Sequence, residues 1–399
     1  MLDPVGDSVK FIRNISILAA SMAVVPGVVF GKAAAVSGDS TTVLDPEPFT
    51  TTRANALGGA LSTVADDLDA LYYNPAGIGG LGLSNRSAKA PFVPGIYFPY
   101  VAESMNANAQ STQKQFNAKG AQNDAGAGAA IMDANAGKRQ YARVSFIPMG
   151  LMLGRTAIVP VIDHQIAAVP VVNSPGDVKM RYRTFSGFMI GSSVADTANR
   201  FSLGFSQAFG TIQETAGTFK YVDMVDVEKR KAIFAQNRAS YAAKSTNVGM
   251  TIRVPKSIAP TFSVVARNVG NTKNPSSDSS AEPLVYKEDL TTGFSISPQI
   301  GKNGRLNMMI EGGYLTQQSI PAKKKIRGGV ELLLGGETDK SILGLRVGGN
   351  DAGASYGAHL NVGLIGLEAE SHAVDIGIDN ERLIERRSSA VISINVASF

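Results

Sequence analysis

Residues 53–81 read RANALGGALSTVADDLDALYYNPAGIGGL. Small residues and the pair Gly58-Gly59 open the stretch. Leu61, Val64, Leu68 and Leu71 then recur at three and four, the spacing of one apolar helix face, with Asp66, Asp67 and Asp69 mostly off it. Tyr72-Tyr73 runs into Asn74-Pro75-Ala76-Gly77. Pro75 ends any helix and pushes Asn74 into an extended conformation. No other part of the chain is as specific.

Downstream, from Leu83, short segments alternate with period two between Gly, Asn and Asp turns. Phe201, Leu203, Phe205 and Phe209 share one face, while Ser202, Gly204, Ser206 and Gly210 fill the other. Leu343, Leu345 and Val347 alternate with Gly344, Arg346 and Gly348, and Tyr356, Ala358, Leu360 and Val362 with Gly357, His359 and Asn361. A soluble sandwich buries its apolar face, whereas a membrane barrel turns that face to lipid around a polar interior. The second face decides between them. It carries Gly, Ser and Asn with isolated Arg or Glu, not the Lys and Glu of a solvent surface. The expectation is an all-β chain: a transmembrane antiparallel β-barrel of about 14 strands, with a helical plug in its lumen. The candidate strands fall near 83–92, 140–152, 155–163, 180–192, 199–213, 245–254, 261–269, 289–298, 305–314, 325–336, 341–349, 355–364, 367–378 and 389–398. Long loops are placed near 102–138, 222–243 and 271–282.

Composition agrees. Among 399 residues, 44% are hydrophobic, only 18% are charged and 42 are glycine, which suits a structure exposing apolar surface to lipid. With no cysteine, disulfides, thiolate catalysis and Cys-based metal sites are excluded. Lys10 and Arg13 precede the apolar run Ile15 to Phe30, and Ala33-Ala34-Ala35 follows. This pattern predicts a secretory signal peptide over 1–35. A leader and plug over 36–82 and the barrel over 83–399 would follow it. No other stretch approaches eighteen consecutive apolar residues, so a helical inner-membrane protein is excluded. The small basic excess is too dispersed for nucleic acid and suits anionic lipid head groups.

The 53–81 stretch closely resembles the N-terminal segment of the outer-membrane long-chain fatty-acid transporter (FadL-type) family, where "ALGGA…ADD…A.YYNPAG(L/I)" forms a small plug inside a barrel. Val264-Val265-Ala266-Arg267-Asn268-Val269-Gly270 looks like the "vvRNlG" strand end of PorV-type and TraF-like relatives. The resemblance implies an outer-membrane location in a Gram-negative bacterium and passive uptake of hydrophobic small molecules such as long-chain fatty acids. It makes Gly58, Gly59, Asp66, Asp67, Tyr72, Tyr73, Asn74, Pro75 and Ala76 the plug and gating residues. Its second branch implies a binding or assembly barrel serving secretion or a surface complex. The implied partners are a hydrophobic or amphipathic small molecule, outer-membrane lipids, the outer-membrane insertion machinery and, on the second branch, a partner protein.

Other signals point to no enzyme, cofactor or metal. Gly77-Ile78-Gly79-Gly80-Leu81-Gly82 satisfies G-x-G-x-x-G but lacks the flanking strand and helix of a dinucleotide site. Its glycines suit a close passage of backbone along the wall. His164, His359 and His372 share no ligand spacing, and His359 reads as a solvated lumen residue. Arg143, Lys179, Arg181 and Arg183 alternate with apolar residues and should point inward, since a lipid-facing charge costs about 2–4 kcal/mol at the midplane. They would pair with lumen Glu and Asp, or bind the carboxylate of an amphipathic ligand. A final Phe399 fits the insertion signal, although Ile392, Ile394 and Val396 are out of phase with it. Without Trp, the aromatic girdle would fall to Tyr97, Phe98, Tyr100, Tyr141, Phe146 and Tyr314.

Overall fold

The computed structural model describes residues 42–45, 50–80, 95–97, 100–121, 124–196, 200–254, 257–276, 283–335, 341–377 and 382–394. The signal-peptide region, the 83–92 strand and Phe399 lie outside the described residues. Fourteen antiparallel strands form a closed ring. They are β1 (Gly95–Tyr97 with Tyr100–Asn106), β2 (Gln140–Ile147 with Gly150–Leu153), β3 (Thr156–Pro170), β4 (Asp177–Ala195), β5 (Phe201–Lys220), β6 (Arg238–Arg253), β7 (Thr261–Arg267), β8 (Asp289–Ile296 with Gln299–Ile300), β9 (Gly304–Gly312), β10 (Ile326–Leu334), β11 (Leu343–Asn350), β12 (Gly353–Val362), β13 (Ile365–Asp375) and β14 (Ile384–Ile394). Each pairs with its sequence neighbour, and β14 closes onto β1 from Arg387↔Asn106 to Ser393↔Tyr100. The first strand therefore runs to Asn106, into what the sequence reads as the 102–138 loop. The Ala-, Asn- and Gln-rich remainder of that insert is helical: α3 (Ala107–Ala118) and α4 (Ala125–Ala134), each opened by a capping side chain, Asn106 or Asp124. The 222–243 insert likewise holds α5 (Tyr221–Val225) and α6 (Val227–Asn237) before β6 begins at Arg238.

The alternation decides which way each strand faces. On β5, Phe201, Leu203 and Phe205 are exposed on the outer face while Gly204, Ser206 and Ala208 are buried inside. Val347 and Val362 are more than 60% exposed, and Arg346 and His359 between them in the pattern are buried. A soluble sandwich would show the reverse. The outward apolar face also has a limit. A strand crosses a bilayer with about 9–11 residues, whereas β3 to β6 run 15, 19, 20 and 16. Above the apolar run, the outer face of β5 turns polar at Thr211 and Gln213, and that of β6 at Lys244. Where apolar residues resume outside at Ile166, Met180, Tyr182 and Phe219, helices α3 to α6 cover them with Phe116, Met132, Met224 and Phe234. The chain thus has a lipid-facing belt and, above it, a water-facing extension with its own helical cover. Among the described residues no helix is long and apolar enough to cross a membrane.

The barrel is lopsided. The strands β7 to β14 are 7 to 11 residues long, so a low wall faces the tall one. Inside lies residues 50–80, carrying α1 (Thr52–Ala56), α2 (Ala70–Tyr73) and a 3-10 turn over Pro75–Gly80. The continuous helix implied by Leu61, Val64, Leu68 and Leu71 is absent. Gly58 and Gly59, at φ of 67° and 90°, end α1 in a left-handed conformation open chiefly to glycine. The Asp67 carboxylate then accepts the Asp69 amide at 2.9 Å, a local turn that competes with helix. Leu61, Val64 and Leu71 are nevertheless buried, so the spacing reports burial more faithfully than helix.

Candidate functional site: the lumen plug and its two seats

The plug meets the tall wall by shape. Asn74, at φ −163° and ψ 98°, is extended as Pro75 requires. Its amide donates to the Ser62 carbonyl at 2.7 Å and to Thr251 Oγ1 on β6 at 2.9 Å, while its Oδ1 accepts from the Ala76 amide at 3.1 Å. One side chain therefore holds both the plug's own fold and its position on the wall. Glycines on the inner wall make room: a Cβ on Gly204 would meet the Pro75 backbone, one on Gly249 the Asn74 side chain, and one on Gly191 Leu71 and Ile78. Ser206 Oγ donates to the Leu71 carbonyl at 2.6 Å. Gly77 is equally confined, since its Cβ would meet the Ala65 carbonyl. Around these bonds the contact is apolar. Leu57, Leu61, Leu71 and Ile78 of the plug share one core with the inward-facing Val159, Val161, Phe185, Met189 and Ile212.

The low wall adds charge to glycine clefts of its own, where a Cβ on Gly329 or Gly348 would meet Leu57. Arg53, buried in α1, donates to Glu331 of β10 through Nε (3.0 Å) and Nη2 (2.8 Å), and its Nη1 reaches Asp66 at 3.0 Å and Asp67 at 2.8 Å. Arg346 of β11 donates to Glu331 Oε1, the oxygen that also takes Arg53 Nε, at 2.9 Å and to Glu368 of β13 at 2.9 Å. Glu368 accepts from Thr52 Oγ1 at 2.7 Å, and Glu311 of β9, held by Arg327, accepts the Ser62 amide. The Arg53–Glu331 pair is short, bidentate and desolvated, the strong form of the interaction. Within the plug, burial first and then the nearby Asp66 charge push the Asp67 carboxyl up to about 6, with Arg53 opposing. Burial, followed by Asp67, raises Asp69 as well. Three plug aspartates thus crowd around one guanidinium.

Gly58 packs against Gly349 and Gly59 against the Arg327 stem. Tyr72 and Tyr73 are buried edge to face, with ring centroids 5.1 Å apart. The Arg267 guanidinium lies 5.7 Å from the Tyr72 ring centroid and pairs with Asp289. The "RNVG" strand end and the YYNPAG turn, far apart in sequence, therefore touch in the lumen. Pro75 and Ala76 are buried against β5.

The four basic lumen residues all lie on inward positions. Arg143 binds Asp163 at 2.8 Å and Asp45 at 3.1 Å; Arg181 and Arg183 bind Glu214 at 3.4 and 2.8 Å. Lys179 stands half-buried two positions from Arg181. A group that sequence reasoning passed over lies at their centre. Asp45 accepts from Arg387 at 2.7 and 2.9 Å, from Arg143 and from Tyr141 Oη at 2.8 Å, while Arg183 donates to its carbonyl at 2.9 Å. Burial alone would push the Asp45 carboxyl up; Arg387 and Arg143 overcome it and hold the group well below the usual carboxylate range. Tyr141 accordingly faces inward beneath the Arg387 guanidinium, 3.5 Å from its ring centroid, and is not part of an aromatic girdle. His359 is likewise buried, not solvated. Its Nδ1 lies 2.8 Å from Arg346 Nη2 and its Nε2 2.6 Å from Ser341 Oγ. Because Arg can only donate, Nδ1 is the acceptor and Nε2 carries the proton toward Ser341. That tautomer cannot activate the serine as a nucleophile.

The fold and this interior define a class: a closed fourteen-strand membrane barrel with a plug built from its own N-terminal segment. No family model matches the sequence, and no curated protein matches it. Among solved structures, the chain is similar to the Pseudomonas putida toluene transporter TodX at 10% identity, over 92% of this chain and 99% of that one, with a TM-score of 0.44. The Ralstonia pickettii toluene transporter TbuX is similar at 10% identity, over 88% and 99%, with a TM-score of 0.43. A Pseudomonas aeruginosa FadL homologue follows at 9% identity, over 92% and 98%, with a TM-score of 0.31.

Proposed function

We propose that this protein is an outer-membrane barrel for passive uptake of hydrophobic small molecules, gated by the 50–80 plug. The observation that carries the reading is the inner wall of β3 to β6. Val159, Val161, Phe185, Met189, Ala208 and Ile212 point inward and make an apolar strip, where a water-filled pore would be polar. The plug covers that strip with its own leucines. Moving the plug uncovers an apolar path, which suits an apolar solute and not an ion. Asn74 and Pro75 set the turn on which the plug pivots, and the outward belt supplies the contact with outer-membrane lipids.

The helical cover supports a second reading, a barrel that binds a partner protein outside the membrane. Val222 and Val227 of α5 and α6 are exposed there. The two readings separate in one experiment. The double variant Asn74→Ala with Pro75→Ala should keep the barrel folded and change uptake of a labelled long-chain fatty acid by at least severalfold. Unchanged uptake in a strain that depends on this protein refutes the gate.

A further inference from the structure

Buried arginines in this protein come with a carboxylate. Among the described residues Arg53, Arg139, Arg143, Arg183, Arg267, Arg346 and Arg387 are buried, and each pairs with an aspartate or glutamate of the chain. Arg230 departs from this pattern. It lies on α6, in the helical cover on the outer face of the tall wall, and only 7% of it is exposed. Its Nη1 donates to the Met224 carbonyl at 3.0 Å, and its Nε has no partner among the described residues. No carboxylate of those residues pairs with it. Asp226, one turn back, accepts the Glu228 and Lys229 amides that open α6. Lys229 and Lys231, on either side, are exposed and paired with Asp223 and Glu228. A guanidinium cannot shed its proton to adapt to burial, and a buried charge is tolerated when an opposite charge meets it. Arg230 therefore calls for an anion that the chain does not supply.

Its surroundings narrow the choice. The charge of Arg230 acts on the hydroxyl of Tyr182 on β4, and the Tyr182 ring stacks on Phe234, one turn along α6, with centroids 5.5 Å apart. Met224 and Phe219 belong to the same apolar cluster. This patch stands on the outside of the barrel, above the lipid-facing belt, at the end with the long insertions, which is the extracellular end of such barrels. Lys244, exposed on the outer face of β6 opposite Phe209, adds a cation at the upper margin of the belt. The molecules that flank a barrel at that height are the head groups of outer-leaflet lipids. We propose that Arg230 binds a phosphate carried on the sugar portion of an outer-leaflet glycolipid. Its planar fork suits the oxygens of a phosphate. The lipid then supplies the missing counter-ion, and the surrounding membrane completes the helical cover. The site lies outside the lumen and is independent of the uptake reading.

The test compares the full-length barrel in nanodiscs of zwitterionic phospholipid with the same barrel in nanodiscs that carry a phosphate-bearing glycolipid. Hydrogen exchange over 221–237 is the readout, and heat-modifiable gel migration checks barrel folding. The glycolipid should slow exchange there roughly tenfold in the native protein and leave Arg230→Met unchanged. In phospholipid alone, Arg230→Met should exchange more slowly than the native protein, because it no longer buries an unpaired charge. Native mass spectrometry supplies a second measurement. The native barrel should retain the glycolipid through detergent exchange and Arg230→Met should lose it. Arg238→Gln, which alters an exposed arginine bonded to Gln213, should retain it. Dephosphorylated glycolipid should be lost from all three. If Arg230→Met exchanges faster in both lipids, Arg230 only packs the cover and the site is overturned. Equal retention of the dephosphorylated glycolipid would overturn it as well. If inorganic phosphate slows 221–237 as much as the glycolipid does, the occupant is a free anion and the lipid is overturned.

Discussion

The two walls of this barrel share glycine clefts for one plug but differ in charge. Against the tall wall, the 71–78 turn sits in clefts left by Gly191, Gly204 and Gly249 and buries leucine and isoleucine. Against the low wall, glycine clefts at Gly329 and Gly348 also receive Leu57 and Gly58, and Arg53, Glu331, Arg346 and Glu368 add a relay of buried charges. Shape complementarity is not switchable: a side chain fits its cleft or it does not. A buried ion pair is conditional, because loss of one partner leaves the other charge stranded. The tall wall therefore reads as hinge and the low wall as latch.

The sharpest way to break the comparison is to fill the hinge. In Gly204→Val, the added carbons would meet the backbone of Pro75 and Ala76, which cannot give way as a flexible side chain could. The outer face of β5 is untouched, so the barrel should still form. Expected is a folded, heat-modifiable barrel whose plug is unseated, seen as a large rise in single-channel conductance in planar bilayers. A conductance equal to that of the native protein would show that the glycine clefts do not position the plug.

The latch should fail more gently. Arg53→Met leaves Glu331 its partner Arg346 but removes the guanidinium that Asp66 and Asp67 share; breaking a buried pair in this way costs about 3–5 kcal/mol. Hydrogen exchange across 50–80 should accelerate correspondingly, while exchange in β4 and β5 stays slow. Adding Asp67→Asn and Glu331→Gln should recover part of the loss. Uniform acceleration across plug and barrel would instead make Arg53 a general stabiliser.

The hinge was more legible in sequence than the latch, for physical reasons. Asn74-Pro75 imposes a backbone conformation by itself, and the period-two alternation fixes which face of each strand is inward. Ion pairs have no such local signature. Glu331, Arg346, Glu368 and Arg387 appear in sequence only as isolated charges on the small-residue face, and their pairing depends on strand register over a closed ring. Asp45 was invisible for a stronger reason: it lies in a short polar leader with no periodicity, and its role comes from partners on β2, β3, β4 and β14. The helix expected over Leu61 to Leu71 shows the converse error. Spacing at three and four identifies side chains that share a burial direction, and a turn wound along a curved wall can meet that demand without a continuous helix.

The smallest expected effect is the most specific to the latch. In the seated plug Asp67 titrates near pH 6, against 3.8 for the same group in water. Between those values the seated form binds more protons than the unseated one, so seating weakens as pH rises through the window and levels off above about 6. The charged groups around it are Arg53, Asp66 and Asp69 of the plug itself; on the wall, Glu331 pairs with that Arg53 and Glu368 acts on Asp69. The depressed Asp45 acts with opposite sign and outside this window: its contribution is present above 3.8 and is lost only as pH falls further. Hydrogen exchange of 50–80, corrected for intrinsic rate, should therefore show a plug held more tightly at pH 5 than at pH 8, by on the order of 1–3 kcal/mol. Asp67→Asn, which mimics the protonated acid, should hold the plug at pH 8 as firmly as the native protein does at pH 5. If the native plug loosens on acidification over this range, the crowded aspartates carry their charge when seated and the latch is not a titrating one.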